Sequence, residues 1–140
     1  MSDVRCPKSG ERGRAPAASS FEDILAWQKA RVLVREVYRT AGTEPLAKDW
    51  GLRNQICRAA VSVMSNIAEG FARKNDKEFA RYLDIARASG TEVQSLLFVA
   101  LDIGYIEQAR FGELAGLARE AISLIAGLTA YLRRGNEEQS

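Results

Sequence analysis

Apolar residues along this chain recur at alternating steps of three and four, the rhythm of packed helices, and no stretch alternates like a strand. In QICRAAVSVMSNIAEGFAR, residues 55–73, the positions Ile56, Ala60, Val63, Ile67 and Gly70 share one helical face. A second face of the same helix carries Arg58, Ser62, Asn66, Glu69 and Arg73. Ala59, Ser65 and Ala68 lie between the two seams and are small enough for a neighbouring helix to approach closely. An ordinary solvent face would be rich in Lys, Glu and Gln; this one mixes small residues with hydrogen-bonding ones. The segment predicts helix contacts on more than one side.

The same reading divides the chain from Ser19 onward into four helices. The first starts at a capping-box pattern, Ser19 with Glu22, carries Leu25, Ala30, Leu33, Val34, Val37 and Tyr38, and ends before Gly42. Pro45 keeps the linker out of a helix, and Asp49 is placed to cap the second helix, which runs to about Lys74. Asn75 with Glu78 forms another capping box, so the third helix begins after a very short turn and must lie antiparallel to the second. Its seam is Phe79, Leu83, Ala86, Gly90, Val93, Leu97 and Ala100, widened by Tyr82, Ile85, Leu96, Val99 and Ile103 beyond what one packed face needs. Gly104 ends it. The fourth spans about Ala109 to Arg134, with Phe111, Leu114, Ala118, Ala121, Ile125, Leu128 and Leu132 facing inward. The predicted fold is all-α, an up-down-up-down antiparallel four-helix bundle over residues 19–135, between tails at 1–18 and 136–140 that should be disordered.

Charge changes the picture at one end. The 140 residues hold 20 Lys and Arg against 18 Asp and Glu. Arg5, Lys8, Arg12 and Arg14 face only Asp3 and Glu11 in the first 20 residues, so the whole net charge of +2 sits there and the rest is neutral. Such an arm can touch nucleic acid through counterion release, or simply be a solvated leader. The longest uncharged run, Ala121 to Leu132, falls short of the roughly 20 residues a membrane span needs. No apolar segment follows the N-terminus, and Cys6 and Cys57 form neither a disulfide framework nor a metal spacing. A cytoplasmic, reduced setting without membrane contact is expected.

Several of these segments carry a family resemblance. QICRAAVSVMSNIAEGFAR, Lys77-Glu78-Phe79, Tyr82-Leu83-Asp84-Ile85-Ala86, Ser89 with Glu92, and Asp102-Ile103-Gly104-Tyr105 resemble the four-helix-bundle proteins encoded in intervening sequences of 23S rRNA genes. Phe21, Trp27 and the Pro45…Trp50-Gly51-Leu52 approach to the second helix also fit, so the likeness covers about residues 20–132. That family looks related to the accessory variability proteins of diversity-generating retroelements. The resemblance implies a cytosolic homopentamer of four-helix bundles with no known catalytic activity; in the retroelement branch, members bind the reverse transcriptase and RNA, and no cofactor is expected.

The candidate chemistry is polar and cationic rather than catalytic. The chain has no His, no phosphate-binding glycine loop, and only Cys57 as a mid-helix thiol, a small packing residue in this position. No enzyme activity and no metal site are expected. The seam of Arg58, Ser62, Asn66 and Glu69 would face Ser89 and Glu92 across the hairpin, since Arg58 and Glu92 lie equally far from Asn75. An Arg58–Glu92 pair at the helix contact is the structural reading; a ligand or RNA site is the alternative. Two basic groups are candidate nucleic-acid contacts: Arg31, Arg35 and Arg39 along the first helix, and Arg73, Lys74, Lys77 and Arg81 around the second turn. Repeated around an oligomer they could grip RNA or DNA phosphates that one copy could not hold; alternatively they complement helix ends and keep faces soluble. Surplus apolar positions on the third helix, with Trp27 and Trp50, argue for self-association. The functional expectation is an oligomeric accessory protein that binds RNA or a nucleic-acid enzyme such as a reverse transcriptase. The rival is an assembly module without nucleic-acid binding.

Overall fold

The computed structural model describes residues 18–139, with side chains described for 18–135. Four helices follow one another: α1 (Leu25–Ala41), α2 (Trp50–Ala72), α3 (Asp76–Asp102) and α4 (Gln108–Gln139). There is no strand among the described residues. α1 packs on α2, α2 on α3, α3 on α4 and α4 back on α1, which is the neighbour order of an up-down-up-down bundle.

The seams read from the sequence form the interior. Ile56, Ala60, Val63, Ile67 and Gly70 of α2 are all buried, as are Phe79, Leu83, Ala86, Gly90, Val93, Leu97 and Ala100 of α3. They pack in two layers. Ile24, Trp27, Ala30, Ile67, Leu83 and Ile125 fill the end nearest the α2–α3 turn; Leu33, Val37, Leu46, Ile56, Leu97 and Leu114 fill the other. Two glycines let the helices close. A Cβ on Gly70 would sit 2.6 Å from Tyr82 Cβ, and one on Gly90 would sit 2.8 Å from Ile122 Cγ1. α4 is long and apolar enough to cross a membrane by length and composition. Here, however, it turns Leu114, Ala118, Ala121, Ile125 and Leu132 into the interior and sets Arg119, Glu120, Arg133 and Arg134 outside.

Both mid-chain caps form as the residues dictate. Asp49 accepts from the Leu52 amide at 3.1 Å to start α2, and Asn75 accepts from the Glu78 amide at 2.9 Å to start α3. Lys74, in the middle of the three residues between the hairpin helices, takes φ 57°, which turns the chain. The other Asp49 oxygen accepts from the Tyr105 hydroxyl at 3.0 Å, tying the start of α2 to the α3–α4 connection.

The first helix starts differently from the prediction. Ser19 and Glu22 make no capping box; Ser19 Oγ donates to Asp23 at 2.9 Å, and Phe21–Asp23 form a 3-10 turn. α1 begins only at Leu25, behind Ile24, which has no capping side chain and is buried. Burial of Ile24, with Phe21 packed edge-on against Trp27 at 5.1 Å, outweighs the local capping preference. α4 continues to Gln139, past the predicted end at Arg134 and through most of the tail expected at 136–140. The expected N-terminal tail lies outside the described residues except for Ala18, which packs on the layer nearest the α2–α3 turn.

Candidate nucleic-acid interface

The α2–α3 turn gathers cations because two helix ends meet there. Arg73 and Lys74 follow the last residue of α2, and Lys77 and Arg81 occupy the first turns of α3. Aromatic rings from the same helices fix three of the four. The Arg73 guanidinium lies 5.1 Å from the Tyr82 ring centre and donates to the Tyr82 hydroxyl; the Arg81 guanidinium lies 4.8 Å from that ring. Lys74 Nζ sits 5.2 Å from the Phe71 ring, which packs edge-on against Phe79. Arg81 also pairs with Glu78 at 3.1 Å, and this holds the Glu78 carboxyl below its ordinary range and raises Arg81. Lys77 makes no ion pair among the described residues. All four cations are exposed, so the pairing is weak and their remaining donors point to water.

The second candidate group behaves otherwise. Arg35 and Arg39 close on Glu36, at 3.1 and 2.9 Å, and Arg110 of α4 reaches the same carboxylate at 2.9 Å. Arg110 also donates to Thr40 Oγ1 at 2.8 Å and to the Glu36 carbonyl at 3.1 Å, so the cluster clasps α1 to α4. Bonds from Arg110 and then Arg35 push the Glu36 carboxyl below its usual range. Sequence reasoning missed Glu36 and Arg110; Glu36 has Arg39 three residues on as a local signal, but its pairing with Arg110, 74 residues away, has none. Arg31 stands apart, 5.8 Å from the Trp27 ring and without an ion pair among the described residues.

The polar seam divides in two. Ser62 and Ser89 hydroxyls meet at 2.8 Å across the α2–α3 contact, and the Asn66 amide donates to the Ser62 carbonyl at 2.8 Å and hydroxyl at 3.0 Å. The expected Arg58–Glu92 pair does not form. The hairpin register is the anticipated one, but Arg58 and Glu92 stand on its outer edge, both exposed, beside a groove of about 460 Å³ shared with Gln55 and Ser62. Two long side chains in water gain too little from pairing to offset their lost freedom. Glu69 is likewise exposed, and Arg73 is taken by Tyr82.

The Cys57 thiol is buried and raised by desolvation, which Arg53 only partly opposes; it is a packing group with little thiolate character. Among the described residues, no cluster of His, Cys, Asp or Glu could hold a metal.

A small all-α bundle with a cationic, ring-backed hairpin turn is the class of protein that this geometry defines. Residues 22–127 match the family model of the 23S rRNA-intervening sequence protein, and the chain belongs to that family. Its fold is similar to that of a crystal structure of a protein of unknown function from the S23 ribosomal protein family of Bacteroides thetaiotaomicron. That likeness has a TM-score of 0.69 and 19% identity, and covers 75% of this chain and 98% of the other. No protein with a curated description matches.

Proposed function

We propose that this protein is a non-catalytic, oligomeric accessory protein whose partner is RNA, free or presented with a nucleic-acid enzyme such as a reverse transcriptase. The observation that carries this reading is the α2–α3 turn, where Arg73, Lys74, Lys77 and Arg81 are exposed together and three are held by Tyr82 and Phe71. Rings that already carry cations on them offer little free face for bases, so the turn suits phosphates. The pentamer implied by the family resemblance would repeat the cluster around a ring, with the multivalent grip that one copy lacks. A lack of His and the inert Cys57 thiol support the non-catalytic part. The cytoplasm is the compartment such a role requires.

The test is fluorescence anisotropy with a structured RNA at several salt concentrations. Four phosphate contacts predict a slope of log affinity on log salt of about −3.6, a loss of roughly 100-fold between 50 and 200 mM salt. The triple variant Arg73→Gln, Lys77→Gln, Arg81→Gln should flatten that slope with an unchanged circular dichroism spectrum. No binding at low salt would overturn the reading. The second reading, a protein assembly module, would then stand on the exposed apolar positions of α3.

A further inference from the structure

Two of the uncovered faces of the molecule differ in the sign of their net charge. On one side, a groove of about 720 Å³ runs between α1 and α2 over Val32, Val34 and Met64, with Trp27 in its wall, Arg31 and Arg35 along it and one carboxylate, Glu22, at its edge. On the other, α3 presents Ile85 and Val99 at 40% and 43% exposure and its C-cap Ile103 at 52%, with Ala88 and Ser95 between them and Glu92 and Asp102 on the same strip. These positions recur every three or four residues and extend for about 27 Å along the helix. Arg35 is engaged by Glu36, whereas Arg31, Glu92 and Asp102 make no ion pair among the described residues.

We propose that the α1–α2 groove is the docking site for the outer face of α3 of a second copy of this chain. The apolar strip would cover Val32, Val34 and Met64, and its carboxylates would meet the Arg31 side of the groove. The complementarity is between two different surfaces of one molecule, so the contact is heterologous. Each copy offers both halves, and copies join head to tail until they close a ring or extend a filament. The assignment rests on the oligomeric part of the proposed function and divides the cations by task. Arg31 serves the contact between copies, Arg35 stays with Glu36, and the α2–α3 turn remains free for phosphates.

Light scattering at high protein concentration tests the assignment with two variants, Arg31→Glu in the groove and Val99→Glu on the α3 face. Both sites are on the surface, and circular dichroism checks that each variant folds. The wild type should assemble and each variant alone should run as a monomer. An equimolar mixture should stop at two chains, because the intact α3 face of one variant fits the intact groove of the other. A variant that still assembles alone, or a mixture that stays monomeric, overturns the docking while leaving oligomerisation in place. A monomeric wild type overturns both.

Discussion

Gly70 shows how much one missing methyl group decides. A Cβ there would meet Tyr82 Cβ at 2.6 Å and the Phe79 carbonyl oxygen at 3.3 Å, both fixed to the α3 backbone and unable to swing away, with the Phe79 ring at 2.9 Å besides. Gly70→Ala should therefore destabilise the protein by about 1–3 kcal/mol, despite alanine's better helix propensity. Gly127 on α4 is the control, since nothing lies within 4 Å of its added Cβ. Gly127→Ala should stabilise by about 0.5–1 kcal/mol. Urea denaturation of the two variants checks the opposite signs; a gain at Gly70 would refute the close approach of α2 and α3.

Among the elements, α1 and α4 are joined by a clasp at Glu36 between residues far apart in sequence. The carboxyl is held below its usual range by Arg110 first and Arg35 next. A lowered folded-state pKa means that its contribution is complete above the ordinary glutamate value of about 4.3 and fades as pH falls through the folded value. Glu36→Gln should lower the melting temperature at neutral pH and make stability less sensitive to acid below about pH 4.3. A parallel pair of melting curves against pH would exclude the clasp.

The elements also divide into those legible in the sequence and those not. The α2 and α3 seams, Asp49, Asn75 and Gly104 could be read because periodicity and capping are local signals. The Ser19–Glu22 pattern misled because burial of Ile24 sets where α1 begins. The arginine stripe of α1 looked free although Glu36 stands between Arg35 and Arg39; what no nearby residue announces is the reach of Arg110 to the same carboxylate. For Arg58 and Glu92 the register was legible, but whether their charged ends turn inward or into water was not.

At the scale of the whole molecule, charge is the open variable, and the sequence places its entire surplus in the first 20 residues. Residues 1–17 carry Arg5, Lys8, Arg12 and Arg14 against Asp3 and Glu11. If the α2–α3 turn holds RNA, a chain beginning at Ala18 keeps most of the salt slope measured for the full length. Anisotropy titrations of the two proteins side by side decide this, and loss of binding on truncation would assign the contact to those residues instead.

The shared carboxylate of Asp49 makes the two poles of the bundle unequal. Through it, the linker after α1, the first turn of α2 and the bend before α4 are fastened to one another. Those three segments should open as one unit in hydrogen exchange, the Leu52 amide keeping pace with its neighbours across the loop. At the far pole the Asn75 cap, a left-handed Lys74 and the Arg73–Tyr82 hydrogen bond all lie within the α2–α3 hairpin, so the turn can yield to a bound strand without disturbing the knot at the other end.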